Sequence, residues 1–522
     1  MARRRNKSGV GSASQLIQRY IAVSEEPYQK REVDLTVNSF NNESVFAARY
    51  EINNELNSIP TPIIDAFENY LHNASVPLHI PGHARGEGVF PKFRDLVGDK
   101  IVCLDTTDEF DGLGTLHPAT GPIEKGQELF AQLYGASKSF FLVNGSTVGN
   151  LALALTITQE NKKVIVSRNC HRSVVSGLTM SGANPIWIMP ELLEDWGVYG
   201  HISPREVKRL LDENPDVTAV WITNPTYEGI ASDIKSIAAI CKERDIYFIV
   251  DEAHGCLWKF HDQLPFSALD CGADAVVHSI HKTGGSFSQS SVLHLGKNSK
   301  INSEALESNL KMMHSTSPSY MLLASLDSAR AYLSSSYGMN KVNDAVNNAL
   351  KVRERLSNVP RVKCLNSTEN INIDPTKIYI TIEGLSGKRL ESILEFEYQI
   401  EVEAATDNGI LALSNIGNTE KELDYFTECI IKIAQNNYHD LSYLENTKYM
   451  PFHTPETVYT PRQAFTKQKE KIAVDYSIGR ISAEVIALCP PGIPVLIPGE
   501  RITEEHLPYL TMINGINVLK EH

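Results

Sequence analysis

AVVHSIHKTGG, residues 275–285, opens as an apolar run and closes in a knot of polar side chains. The apolar half reads as a short buried strand, and the two glycines punctuate its end. His278, Ser279, His281, Lys282 and Thr283 crowd the point where that strand would leave a sheet. In an open parallel α/β sheet, ligands bind beyond the carboxyl ends of the strands. A lysine there is placed for chemistry rather than for packing.

Working outward, the same alternation of short apolar runs and amphipathic segments recurs. SFFLVN (139–144) is a strand run that turns directly into the helical GSTVGNLALALTI, and KVIVS (163–167) and PIWIM (185–189) are two more strands. SPREVKRLL opens with Ser203 and Glu206 at capping-box spacing, VTAVWIT (217–223) follows, and DIKSIAAICKERD leads into IYFIVDEAHG. Upstream, TPIIDAFENYL has Thr61 to cap, Pro62 at the first helical position, and Ile63, Ile64, Phe67, Tyr70 and Leu71 on one face. Strands separated by helical segments of about 10 to 15 residues predict a mainly parallel sheet covered on both faces. After residue 330 the texture changes. KIYITI, KRLESILEFEY, IEVEAATD, GILALSNI and TEKELDYFTECIIKIAQNN read as a βαββα unit with a second capping box at Thr419 and Glu422. The expected division is a tail and arm over 1–60, a large domain over 61–330, a small α+β domain over 331–440, and a proline-rich C-terminal domain over 441–522.

Composition narrows the class. With 522 residues, 42% hydrophobic and 21% charged, the chain has the make-up of a soluble globular protein of more than one domain. A net charge of -14 without a basic stripe argues against non-specific nucleic-acid binding. The eight cysteines form no CxxC pair and no disulfide framework, which points to a reducing, cytoplasmic setting. No apolar run reaches the roughly 20 residues that span a bilayer. MARRRNKSGVGSASQ is basic and rich in serine and glycine, but no apolar core follows it. It is not a secretory signal; it reads as a disordered tail, with an organelle transit peptide as the alternative.

Three features fall at predicted strand ends. Asp251 closes IYFIV, Lys282 follows AVVHSI, and Ser146-Thr147 follow SFFLVN at a helix start. Free backbone N–H groups and the positive dipole end make that helix start a phosphate cradle. A phosphate cradle, a carboxylate and a lysine at strand ends are what pyridoxal 5'-phosphate requires. The lysine forms the Schiff base, the carboxylate keeps the pyridine nitrogen protonated, and the helix end holds the phosphate. Two rivals fail. DEAH (251–254) is also a helicase signature, but no Walker A loop accompanies it; GLSGKR (384–389) has the wrong spacing. A zinc site of His254, His278 and His281 needs convergence that strand alternation denies, so no metal is expected.

HSIHKTGGSFSQSSVLHLG resembles the lysine-bearing motif of the ornithine/lysine/arginine decarboxylases, a group with the aspartate-aminotransferase (fold type I) architecture. The resemblance recurs in LHIPGHARG, LHPATGPIEKGQELFAQLYGASKSFFLVNGST, RNCHRSV, NPTYEG, DEAHG, STSPSYMLLASLDSAR and GRISAEVIALCPPGIPVLIPGE, from about residue 60 to about 520. It implies a fold type I large domain with smaller α+β C-terminal domains and a homodimer with shared active sites. It implies Lys282 as the cofactor lysine, Asp251 on the pyridinium nitrogen and His171 against the ring face. Ser146, Thr147, Ser279 and His281 would surround the phosphate, with His254 near the ring edge and the neighbour's Ser317 reaching in. His281 or Lys282 would return the proton to Cα.

The chain departs from the family at Gly284-Gly285, where many members read leucine after HKT, and at Gly114-Thr115, where two acids are replaced. These departures bear on the substrate. The compact form resembles biosynthetic members and implies a basic amino acid, arginine before lysine or ornithine, decarboxylated to its amine. Glu484 is the candidate partner for a distal cation; Glu500, Asp108, Glu109 and Asp111 are further carboxylates to consider. The same cofactor site also suits an aminotransferase, lyase or oxidative deaminase. An aminotransferase would need an arginine for the α-carboxylate, and Arg462 is the candidate.

Overall fold

The computed structural model describes residues 55–72, 76–107, 112–436, 454–488, 492–510 and 513–521. Residues 1–54 of the expected tail and arm, and Asp108, Glu109 and Asp111, lie outside the described residues.

A seven-stranded sheet organises the larger part of the molecule. Its strands are β1 (Lys138–Leu142), β2 (Lys163–Ser167), β3 (Asn184–Ile188), β4 (Val217–Thr223), β5 (Tyr247–Asp251), β6 (Ala275–His278) and β7 (Ser291–Leu295). Their spatial order is β1-β7-β6-β5-β4-β2-β3. Only β7 runs against the others, pairing antiparallel with both β1 and β6. The predicted parallel strands are all present; β7 is the addition. Its side chains are all buried, so it lacks the half-polar alternation that announces a strand.

Helices cover both faces, as nearly continuous apolar strands require. Phe141, Ile165, Val220, Ile222, Phe248, Val250 and Val276 pack one face, and Phe140, Leu142, Val164, Val166, Trp221, Ile249 and Val277 the other. The helix Pro62–His72 buries Ile63, Phe67 and Tyr70 on the first of these faces. Its apolar stripe is narrower than the sequence suggests, since Leu71 is largely exposed. Its first N–H groups are satisfied from afar. Asp327 accepts from Ile63 N at 2.9 Å, while the Thr61 hydroxyl, the expected cap, donates instead to Asp65.

The two predicted capping boxes part company. Thr419 and Glu422 form theirs, with Thr419 N donating to Glu422 at 2.8 Å and Glu422 N to the Thr419 hydroxyl at 3.3 Å. Ser203 stands at its N-cap but makes no capping bond. Glu206 is taken by Arg209, which donates to both its oxygens at 2.5 and 2.9 Å. A two-pronged charge-assisted pair outcompetes a single backbone N–H.

The βαββα reading holds. Strands Val362–Cys364, Lys377–Ile382, Ile410–Leu413 and Ala404–Ala405 form a four-stranded antiparallel sheet in that order. Helices Ser336–Ser357, Gly387–Tyr398 and Glu420–Gln435 supply Val352, Leu394 and Ile430 to its core. A short antiparallel pair, Ile230–Ala231 with Asn372–Ile373, ties this unit to the loop after β4. The C-terminal segment folds as paired strands, Lys469–Ile472 with Ile516–Leu519 and Ile486–Leu488 with Ile493–Leu496. Among the described residues, no helix is long and apolar enough to cross a membrane.

Candidate active site

The carboxyl ends of β1, β2, β4, β5 and β6 open onto one cavity of about 270 Å³. Ser146, Thr147, His171, Asp251, His254, Ser279, His281 and Lys282 all line it. Sequence separations of more than a hundred residues are erased because parallel strands end on the same edge of their sheet.

At one end stand hydroxyls. Ser146 lies in the first turn of the helix Gly145–Ile157, with its Oγ 2.7 Å from Ser279 Oγ and 3.1 Å from Ser291 Oγ. Clustered hydroxyls and the free N–H groups of a helix start suit an anion with several acceptor oxygens.

Asp251, also on the cavity wall, is buried at the close of β5. Its Oδ2 accepts from Asn150 Nδ2 at 3.0 Å, and its Oδ1 has no protein partner. A buried carboxylate oxygen without a donor is costly. It is fitted to a donor such as the protonated nitrogen of pyridoxal phosphate, so the residues present suit that cofactor. The second Asn150 N–H donates to Ser173 Oγ at 3.0 Å. That hydroxyl lies 2.8 Å from His171 Nδ1, which also accepts from Ser173 N at 3.2 Å. These partners make His171 Nδ1 an acceptor, leaving the proton on Nε2. Burial lowers the His171 pKa, against the pull of Asp251, and keeps the ring neutral.

Lys282 sits in the single turn Ile280–Thr283. Its Nζ is 2.9 Å from His254 Nε2, and burial lowers its pKa while Asp251 opposes the fall. A lysine that loses its proton more readily is a better nucleophile. His281 Nδ1 lies 2.7 Å from Ser290 O, which fixes its ring at the cavity wall. The C-terminal segment closes the site. Ile493 lines the cavity, and a side-chain carbon at Gly492 would come within 3.4 Å of His171.

His278, which strand alternation was expected to turn from His281, bonds Glu252 instead, 2.8 Å off and fully buried. Other expected residues lie elsewhere. Glu484 accepts from Asn517 N and Nδ2 at 2.7 and 2.8 Å, and does not line the cavity. Glu500 is engaged by Arg168 at 2.9 Å in a buried pair. Arg462 bonds Met180 O, and among the described residues no arginine lines the cavity. Ser317 is in an exposed turn with Ser315.

The family departures have local causes. Gly114 has φ +75, and a side-chain carbon there would lie 2.1 Å from Thr120 O. Thr115 closes the same turn, donating to Pro118 O at 2.6 Å. At Gly284 a side-chain carbon would press on Ile280 and Cys256, at 3.0 and 3.2 Å. These residues answer to packing.

Several site residues escaped the sequence reading: Asn150, Asn169, Thr223, Tyr227 and Gln289 line the cavity, and Lys377 touches His254 from behind. Asn150 had a signal, since it falls four residues after Ser146 on one helix face. Asn169, Tyr227 and Gln289 lay within the motifs RNCHRSV, NPTYEG and HSIHKTGGSFSQSSVLHLG, and Thr223 closed the predicted strand VTAVWIT, but Lys377 had no signal.

The family model for the Orn/Lys/Arg decarboxylase major domain matches residues 61–383, and that for the Orn/Lys/Arg decarboxylase C-terminal domain matches 444–519. The chain is 36% identical to the arginine decarboxylase of Bacillus subtilis over 86% of its own length and 93% of that protein. It is 35% identical to the arginine decarboxylase of Halalkalibacterium halodurans, covering 86% and 92%. Among solved structures, the lysine decarboxylase LdcF of Francisella novicida superposes with a TM-score of 0.78 at 22% identity, covering 92% of this chain and 84% of that one. That match shows the shared fold type I architecture. A cavity built at the strand ends around Lys282 and Asp251, and sequence relationship along nearly the whole described chain, lead to one assignment: this chain belongs to the Orn/Lys/Arg decarboxylase family.

Proposed function

We propose that the chain binds pyridoxal 5'-phosphate on Lys282 and decarboxylates a basic amino acid, arginine before lysine or ornithine. The observation that carries the cofactor reading is the partnerless Oδ1 of Asp251 in the same cavity as Lys282. The substrate reading is supported by the relatives named arginine decarboxylase, at 33–36% identity, against 24% for the lysine decarboxylase of Hafnia alvei.

Pyridoxal phosphate supplies a conjugated sink for the electron pair left on Cα when carbon dioxide departs. The protein's residues prepare that event. Asp251, oriented by Asn150, would hold the proton at the ring nitrogen. His171 would lie against the ring face, and Ser146, Thr147, Ser279 and His281 would hold the phosphate. Asn169 Oδ1 and Thr223 Oγ1, both on the wall and without protein partners, are available to the bound molecules. His281 or Lys282 returns a proton to Cα. An aminotransferase reading lacks its arginine, because Arg462 is held elsewhere.

Among the described residues, two carboxylates come into question for the distal cation. Glu484 is occupied by Asn517 within its own chain. Glu403 accepts at 2.5 Å from Tyr227, a wall residue, and its charge acts on Lys282. Glu403 is exposed and, like Glu484, is not itself on the cavity wall; its bond to the wall residue Tyr227 makes it the better placed of the two.

The reading includes a homodimer in which Ser317 reaches the neighbour's phosphate. Leu78, Phe90 and Leu96, at 93%, 73% and 81% exposure, offer apolar surface for a second copy. It also includes a cytoplasmic setting, consistent with seven described cysteines that are all free thiols.

Two experiments test it. Borohydride reduction followed by peptide mapping should find the cofactor on Lys282; another lysine would overturn the assignment. Supplied with arginine, lysine and ornithine in turn, the enzyme should release carbon dioxide and amine fastest from arginine. A keto acid instead would place it among transaminating or deaminating enzymes.

A further inference from the structure

Lys377 opens the strand Lys377–Ile382 of the smaller sheet, and its side chain is entirely buried. Lysine is almost never fully buried without a partner or a task. The fold goes to some length to admit it. Gly229, in the NPTYEG loop, has φ +92, and a side-chain carbon there would sit 2.6 Å from Lys377 Cβ. The strand pair Ile230–Ala231 with Asn372–Ile373, and the bond from Asp374 N to Gly229 O at 2.8 Å, hold the two segments together.

The Lys377 amine faces His254. Its Nζ lies 3.2 Å from His254 Nδ1, while His254 Nε2 lies 2.9 Å from Lys282 Nζ. The imidazole is therefore bracketed by two amines, one in the cavity and one behind it. A neutral imidazole has one donor and one acceptor nitrogen, so with a single positive charge on the trio two arrangements satisfy both contacts. Either Lys282 is the ammonium, donating to Nε2, and Nδ1–H donates to neutral Lys377; or Nε2–H donates to neutral Lys282, and Nδ1 accepts from the Lys377 ammonium. Two coupled hops, from Lys282 to Nε2 and from Nδ1 to Lys377, convert the first into the second, a net transfer of one proton across the ring.

We propose that Lys377 is a positioning residue that controls the protonation of Lys282, being the buried end of a relay through His254 that takes the proton from Lys282 Nζ and returns it. As Lys282 gives a proton to Nε2, the Nδ1 proton passes to Lys377 Nζ, so one positive charge is conserved within the trio. Two buried ammonium groups repel, which favours a single shared charge. The surrounding charges fit that count. Asp374 and Glu403 face Lys377, along with the Cys256 thiol. Asp251 and Glu403 face Lys282, and His171 and His281 face His254. Asp374 is fixed for the purpose, accepting from Trp258 Nε1 at 2.9 Å and from Thr376 N at 2.9 Å. Burial lowers the pKa of Lys377 and takes that of His254 well down, which keeps the ring a conduit rather than a resting place for the charge.

The inference rests on Lys282 being the cofactor lysine, and its test is separate from that reading. In apo-enzyme, trace acetylation of Lys282 is followed against pH by mass spectrometry of its peptide. Removing the relay's end, Lys377→Met, should raise the labelling midpoint by about one pH unit and slow labelling at pH 7 about tenfold. His254→Phe, which cuts the link and keeps Lys377, should shift the midpoint the same way. The double variant should shift no further than the larger single effect. A folded Lys377→Met with the unaltered profile, or additive shifts in the double variant, would overturn the relay. If Lys377→Met does not fold, the His254→Phe profile decides by the same criterion. Mapping the reduced cofactor to a lysine other than Lys282 would instead defeat the cofactor assignment, whatever the labelling shows.

Discussion

Replacing Asp251 by asparagine tests the centre of the site with almost no change of shape. Asn150 Nδ2 donates to Asp251 Oδ2 at 3.0 Å, and that donor does not change in the variant. The new amide must turn its carbonyl toward Asn150, because N–H facing N–H is repulsive. Its NH2 then occupies the position of Oδ1, the oxygen without a protein partner. A donor now faces the cofactor nitrogen where an acceptor stood, so the nitrogen is held unprotonated and the electron sink is weakened. The expected loss in kcat exceeds about 100-fold, which is roughly 2.7 kcal/mol of transition-state stabilisation. Carbon dioxide release measures it, with cofactor content read from absorbance on the same sample. Asn150→Ala supplies the comparison, since it frees the carboxylate without neutralising it. Loss of one hydrogen bond to a charged group, about 1.5 to 3 kcal/mol, caps its effect at roughly 10- to 100-fold. An Asp251→Asn enzyme with full cofactor and activity within tenfold of the parent would refute the reasoning.

Ser146→Ala removes a hydroxyl from the trio with Ser279 and Ser291 and should weaken cofactor retention by about 10- to 100-fold, read by equilibrium dialysis. Glu403→Gln should raise KM for the basic substrate about tenfold while leaving the cofactor spectrum in place, as loss of a charged partner predicts; if Glu484→Gln does so instead, the C-terminal carboxylate is the recognition group. Glu500→Ala strands Arg168 in the interior with Val495 O as its remaining bond, and should cost about 3 to 5 kcal/mol in chemical denaturation. Glu500→Gln should cost less, since the amide oxygen still accepts.

What the sequence determined by itself was local or topological. Apolar runs separated by amphipathic helices specify a parallel sheet, and a parallel sheet gathers its strand ends, so Lys282, Asp251 and Ser146 were legible as one site before any distance was known. The Thr419 box was legible for the same reason: both partners lie within one helical turn. Where a competitor intervened, local reading failed, as when Arg209 drew Glu206 away from Ser203. The tertiary structure alone decided the contacts that give the site its chemistry. Asp251 is oriented by Asn150 from 101 residues away, Lys377 reaches His254 across 123, and Arg168 takes Glu500 across 332. No periodicity or spacing encodes such pairs. A buried charge or polar atom is tolerated only where its partner waits, and which partner waits is settled by how the sheets, the NPTYEG loop and the C-terminal segment pack.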